Sequence, residues 1–252
     1  MNNPFSLEGK VIFITGASSG IGRQCAISCS TMGANVILVA RNEDRLLSTY
    51  NKLNSKNNLY YIQDITEYSR IKIIIDDSIS KVGKIDGFIH SAGIEKTLPL
   101  KLMTPNIYKD IFNINIISGF EIARILANKK YRNNGASFVF IASIMSVLGQ
   151  TGKVGYCSSK GALVSGIKAM ALELAKKKIR VNSISPAIVE TNMTKKLFEN
   201  IPPESGKEIL NMHPLGIGNS EDIALACVYL LSDASRWVTG SNLIIDGGYS
   251  AQ

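Results

Sequence analysis

Short apolar and β-branched runs alternate along this chain with longer stretches whose apolar residues recur at helical spacing. The runs "KVIFIT" (10–15), "NVILVA" (35–40), "LYYIQ" (59–63), "GFIH" (87–90), "SFVFIA" (137–142), "RVNSIS" (180–185) and "NLIIDG" (242–247) predict strands. They are nearly continuously apolar, as strands covered on both faces must be. Between them, "EDRLLSTYNKL", "SRIKIIIDDSISKV" and "EDIALACVYLLS" predict helices. Asn42 and Ser220 stand as N-caps, each followed by acidic residues that suit a helix N-terminus. This alternation predicts an α/β fold, a doubly wound parallel sheet, because right-handed crossovers place helices on both faces. No internal repeat, low-complexity segment or linker interrupts the pattern, so residues 1–252 are expected to form one domain.

Composition narrows the class. Hydrophobic residues make up 45% and charged residues 19%, which is ordinary for a globular chain with a sizeable core. The opening "MNNPFSLEGK" has no basic segment followed by an apolar one, so no secretory leader is expected. The longest uncharged run, 133–152, is broken by Gly, Ser, Asn, Gln and Thr, which argues against a membrane span. Cys25, Cys29, Cys157 and Cys227 show neither CxxC spacing nor a histidine cluster, so no metal site is expected. They read as small core residues, consistent with a reducing cytoplasm. The formal charge of +8 comes from scattered residues without interleaved aromatics, so nucleic acid is not an expected partner. Its sign suits acidic small molecules or an acidic carrier protein.

Directly after the first strand comes "TGASSGIG", Thr15 to Gly22, leading into a helical run. Gly16 suits a tight turn, Gly20 admits close approach of a pyrophosphate, and Gly22 permits close helix–strand packing. The helix N-terminus then offers free N–H groups to the phosphates. TGxxxGxG at this place resembles the short-chain dehydrogenase/reductase family, a Rossmann-type fold, and Ser18, Ser19 and Ile21 belong to the same cofactor loop. At the end of the second strand, Ala40 and Arg41 stand where an NAD site wants a carboxylate. A guanidinium suits a 2′-phosphate, so NADPH/NADP+ is expected in preference to NADH, the alternative for Arg41 being a solvated surface charge. Ser19, where the family often has a basic residue, points the other way. The resemblance also implies that Asp64 and Ile65 contact the adenine.

Tyr156 and Lys160 in "YCSSK" lie one helical turn apart on one face. Ser143 lies thirteen residues before the tyrosine and Asn115 twenty-eight before the serine, and all four match the catalytic Asn–Ser–Tyr–Lys set of the family in type and spacing. Reduction of a ketone needs a hydride from the nicotinamide and a proton for the carbonyl oxygen. An ammonium about 4 Å from a phenol favours phenolate by roughly 4 kcal/mol at an effective dielectric near 20, about three pK units. On that expectation Lys160 brings Tyr156 toward neutrality as a general acid, and Ser143 positions the substrate oxygen. The resemblance implies that Asn115 holds a relay water and that Lys160 also holds the nicotinamide ribose.

"HSAG" (90–93) occupies the place of the family's NNAG. Ala92 and Gly93 match, while His90 and Ser91 replace asparagines, His90 reading as a hydrogen-bonded strand-end residue. "NSISPAIVET" implies that Pro186, Val189 and Thr191 bracket the nicotinamide carboxamide, with Ala187 in place of a glycine. Residues 192–214, with Met193, Leu197, Phe198, Ile209 and Leu210 among charges, form a substrate lid or an amphipathic surface helix pair. Met145, Val147 and Leu148 imply an apolar pocket.

Within the family the chain is most similar to the 3-oxoacyl-[acyl-carrier-protein] reductases. Lys129, Lys130, Arg132 and Lys176–Lys178 serve either to meet an acidic carrier or as solvated charges at helix ends. The same chemistry on a sugar, polyol, steroid or small keto acid is the alternative, and a cofactor-binding regulator without turnover is another. A homotetramer is expected from the resemblance.

Overall fold

The computed structural model describes residues 3–54, 57–191, 194, 198–199 and 202–251. Seven described strands form one parallel sheet: β1 (Val11–Thr15), β2 (Asn35–Ala40), β3 (Leu59–Ile62), β4 (Ile85–His90), β5 (Arg132–Ile141), β6 (Ile179–Pro186) and β9 (Asn242–Ile245). Their order is β3-β2-β1-β4-β5-β6-β9, so the winding reverses between β1 and β4. At such a reversal the connections leave in opposite directions and open a crevice beyond the carboxyl ends of the strands. A short second sheet pairs β7 (Val189–Glu190) with β8 (Gly218–Asn219).

Helices cover both faces: α1 (Gly20–Thr31), α2 (Glu43–Tyr50), α3 (Tyr68–Val82), α4 (Pro105–Phe112), α5 (Ser118–Leu126), α6 (Val154–Leu174), α7 (Pro203–Asn211) and α8 (Ser220–Leu231). Successive strand residues divide between two cores, because the side-chain period of a strand is two. Phe13, Phe88, Phe138 and Phe140 pack with Ile122 and Leu126 of α5 and Leu163 and Ile167 of α6. Ile12, Ile14, Leu38 and Val139 pack with Cys25 and Cys29 of α1 and Cys227 and Val228 of α8. The Cys25 and Cys227 sulfurs lie 3.6 Å apart where those two helices meet. Among the described residues, no helix is long and apolar enough to cross a membrane.

Three local features depart from the sequence pattern. β5 starts at Arg132, five residues before the apolar run, because its polar first half pairs with Ile85 before an irregularity resets the register at Gly87 and Ser137. α2 ends at Tyr50. The cap of α8 is Asn219, not Ser220: its side chain accepts from the N–H groups of Glu221 and Asp222, and Asp222 answers by accepting from the Asn219 N–H at 2.7 Å. The β7–β8 pairing sets this choice, since it holds Asn219 in the extended conformation a cap requires. Asn42 does cap α2, accepting from the Arg45 N–H.

Asn219→Ala is expected to lower stability by about 1 kcal/mol in urea unfolding, and Ser220→Ala by half of that or less. Equal costs would return the cap to Ser220.

Candidate active site

The crevice over the carboxyl edge of the sheet is a cleft of about 1230 Å³. Its floor at one end is the glycine loop. Gly16 and Gly20 both have positive φ, 68° and 52°, where a side chain would be strained. A Cβ on Gly16 would come within 2.7 Å of the Ala92 nitrogen, and one on Gly22 within 2.4 Å of the Gly16 oxygen. These contacts let the loop, the β4 end and α1 close on one another. Ser19 precedes α1 without capping it through its side chain, so the first N–H groups of the helix are left to the cleft. A diphosphate suits that arrangement through charge and hydrogen bonding. Ser18, Ser19 and Ile21 line the cleft with Gly16 and Gly20, whereas Gly22 packs behind them.

At the far end of the loop, the Arg41 guanidinium lies 3.5 Å from the Asp64 carboxylate, both partly in solvent. Burial opposes ionisation of Asp64. The Thr66 N–H and hydroxyl bonds, at 2.9 and 2.7 Å, and the Arg41 charge outweigh it and hold the carboxyl below its usual range. An exposed pair of this kind is weak, so Arg41 stays available to an anionic ligand. Ile65 and Arg45 line the same end, and Arg45 places a second cation there from the first turn of α2. No motif in the sequence marks Arg45, although it follows Arg41 by four residues.

Ser143, two residues past the end of β5, and Tyr156 and Lys160 on α6 meet at the other end. The Ser143 side chain stands beside the phenol, and its oxygen accepts from the Met145 N–H at 3.2 Å. Lys160 is buried and donates to the Ile141 carbonyl at 2.7 Å, with its Nζ 5.7 Å from the Tyr156 ring centre. This corrects the expected tuning. Burial raises the Tyr156 phenol above its ordinary value, and the neighbouring Ser143 hydroxyl only partly offsets it. Burial also brings Lys160 down to about 8. One N–H of the ammonium goes to this carbonyl and burial governs the phenol, so the protein alone does not acidify Tyr156.

Asn115 lies behind the cleft on a π turn, 113–117, between α4 and α5. Its Oδ1 accepts from the Ile94 N–H at 2.8 Å, while Nδ2 donates to the Ile94 carbonyl at 3.0 Å and the Ser159 hydroxyl at 2.9 Å. Both amide hydrogens are therefore committed to protein, and the side chain does not offer them to a water. Ala92 and Gly93 line the cleft in front of it, and a Cβ on Gly93 would sit 3.4 Å from Asn115 Oδ1 and 3.6 Å from Lys160 Nζ. His90 is buried and hydrogen-bonded on both ring nitrogens. Burial and the nearby Lys160 charge push its pKa to about 3, so it is neutral.

Pro186, Val189 and Thr191 line the wall opposite the glycine loop. Thr191 comes close enough that a Cβ on Gly20 would meet its methyl at 3.2 Å. The Thr194 hydroxyl ties this segment by donating to the Val189 carbonyl at 2.9 Å. Of the residues expected in the lid, Ile209 lines the cleft, joined by Glu208 and Met212, and Leu210 is exposed. Met193 and Leu197 lie outside the described residues. Met145 lines the cleft, but Val147 and Leu148 are exposed. The wall also carries an ion pair that no motif announced, Lys153 Nζ to Glu95 Oε1 at 2.7 Å, with side chains 14% and 25% exposed.

The depressed Lys160 value fixes the sign of a pH effect. Below pH 8 the lysine is charged in both states and its burial penalty is fully present. Between 8 and 10.5 the unfolded chain keeps the proton that the folded chain has lost, so stability rises with pH. Relative to Lys160→Met, the wild type is expected to gain on the order of 3 kcal/mol over that window in denaturant unfolding. Parallel pH profiles would refute it.

Comparison with known proteins places this geometry in a family. The family model described as Enoyl-(Acyl carrier protein) reductase matches residues 16–250. The 3-oxoacyl-[acyl-carrier-protein] reductase FabG of Thermotoga maritima is 34% identical over 247 residues, covering 96% of this chain and 98% of its own. The NAD-dependent glycerol dehydrogenase of Listeria innocua is 32% identical, with 98% and 96% covered. A structure from Agrobacterium tumefaciens solved with bound NADP is 31% identical and superposes with a TM-score of 0.87 over 100% of both chains. The chain belongs to the short-chain dehydrogenase/reductase family, as an oxidoreductase with a single Rossmann-like domain.

Proposed function

We propose that this protein is an NADPH-dependent reductase of 3-oxoacyl thioesters borne on an acyl carrier protein, acting in the cytoplasm as a homotetramer. The observation that carries the reading is the meeting of Ser143, Tyr156 and Lys160 at one end of a cleft whose other end is the glycine loop and Arg41. Bound NADPH supplies the hydride. Gly16 to Gly22 and the N-terminus of α1 hold its diphosphate, Arg41 and Arg45 its 2′-phosphate, and Asp64 and Ile65 its adenine. Ala92, Gly93, Pro186, Val189, Thr191 and the Lys160 ammonium hold the nicotinamide half. The Ser143 hydroxyl orients the substrate oxygen and the Tyr156 hydroxyl donates the proton. Because burial keeps the phenol protonated, it enters the reduction ready to donate.

Two further features support a carrier-bound substrate. Lys129 and Arg132, distant in sequence from Lys176–Lys178, gather with Lys84 around one concavity of about 260 Å³ on the surface. A cationic hollow of this kind complements an acidic carrier. Met145, Ile188 and Ile209 give the cleft apolar wall for an acyl chain. Trp237, 91% exposed, and Leu225, Leu243 and Ile244 near it in sequence leave apolar surface that assembly of copies would cover. The half-buried Glu95–Lys153 pair favours a second reading, the same reaction on a small hydroxylated ketone whose polar groups bond that pair.

The test follows NADPH and NADH oxidation with an acetoacetyl carrier thioester beside a panel of polyol, sugar and steroid ketones. The carrier thioester is expected to give the highest kcat/KM. A hydroxylated ketone ahead of it would select the second reading, and no turnover of any ketone would defeat both. Tyr156→Phe is expected to lose about a hundredfold or more in kcat while binding NADPH normally. Arg41→Ala is expected to weaken NADPH about tenfold or more and NADH less than about twofold. Equal losses would remove the phosphate assignment.

A further inference from the structure

The π turn that carries Asn115 has a specific cause. The Ser118 N–H donates to the Asn113 carbonyl, five residues back, so the Ile114 carbonyl loses the donor an α-helix would give it. Two side chains replace that donor: the Ser118 hydroxyl at 2.8 Å and His90 Nε2 at 3.2 Å. A carbonyl only accepts, so Nε2 carries the ring proton and Nδ1 is the acceptor. The Thr15 hydroxyl therefore donates to Nδ1 at 3.0 Å, while its oxygen accepts from the Ala92 N–H at 3.4 Å. The result is a chain of bonds with one direction, from the loop after β4, through the end of β1 and the His90 ring, to the π turn. The ring lies face-on against α5, where a Cβ on Gly119 would come within 2.7 Å of His90 Cδ2, 2.8 Å of Cγ and 2.9 Å of Nε2.

We propose that His90 is a positioning residue of the catalytic centre, whose bond to the Ile114 carbonyl keeps the π turn that aims Asn115 at Ile94 and Ser159. Without that bond the turn relaxes toward α-helix. Losing one residue of register rotates whatever follows by about 100°. Asn115 then leaves Ile94, the Gly93–Ile94 backbone in front of Lys160 loses its support, and Ser159, the neighbour of Lys160 on α6, loses its partner. The effect reaches the reaction through Lys160 and Tyr156 at the nicotinamide end, while the glycine loop and Arg41 keep their contacts at the other, so rate falls further than NADPH affinity. This inference rests on the reductase reading for its kinetic part only.

The test compares His90→Asn, His90→Gln and Gly119→Ala. Asparagine reaches Thr15 but not Ile114, whereas the glutamine amide nitrogen reaches about as far as Nε2. His90→Asn is expected to lower kcat about 10- to 100-fold with a several-fold smaller change in the Kd for NADPH, and His90→Gln to recover most of the rate. Gly119→Ala, which pushes the ring aside and removes no polar group, is expected to give the same loss, and it decides the matter should His90→Asn fail to fold. The side-chain amide NMR signals of Asn115 are expected to move in His90→Asn and Gly119→Ala and to stay in His90→Gln. Wild-type kcat in His90→Asn, or equal losses in the Asn and Gln variants, would overturn the proposal. If the wild type reduces no ketone, the functional reading fails, and the Asn115 signals still decide this one.

Discussion

The site is organised around a buried positive charge. Lys160 sits on α6 beneath the carboxyl edge of the sheet and gives a hydrogen bond to the last carbonyl of β5. A lysine there costs stability, and its depressed pKa measures that cost. The surroundings keep the charge in place without neutralising it. The Ile141 carbonyl offers a lone pair, and Glu95 contributes a favourable field while itself paired with Lys153. Asn115 holds the backbone in front of the lysine. No carboxylate bonds the ammonium directly among the described residues, which leaves it open toward the cleft.

The same arrangement explains why the phenol is not acidified by the protein alone. Burial acts on the half-buried Tyr156 and the buried Lys160 in opposite senses, raising one value and lowering the other. Both shifts favour the neutral form of each group. A phenol that keeps its proton and a lysine near its titration point suit a donor and the group that restores its proton.

Much of this was legible in the sequence. Strands covered on both faces have no choice but continuous hydrocarbon, so "NVILVA" declared β2 to the residue. The glycine loop was equally plain, because its positive φ values and backbone contacts admit no side chain. What escaped depends on contacts across the fold. The Asn219 cap follows from pairing with a strand some thirty residues earlier, and the first half of β5 from pairing that ignores its polarity. Lys153 and Glu95 are far apart in sequence, as are Lys129 and Lys176, and only the crossovers bring each set together. The π turn has no signature in "FNINIISGF", since the histidine that stabilises it comes from β4.

The packing of α1 on α8 has a practical consequence. Cys25, Cys29 and Cys227 are wholly buried between them; burial raises the Cys29 thiol, and the hydrogen bond with Cys25 together with burial raises the Cys227 thiol, well above their ordinary values. A sulfur with no exposed surface cannot meet a reagent, so these three are silent to alkylating reagents until the two helices part. Cys157, next to Tyr156, is only half-buried. The chain thus carries its own clock for local opening: the labelling rate of three silent sulfurs reports how often this side of the sheet breathes, independently of catalysis.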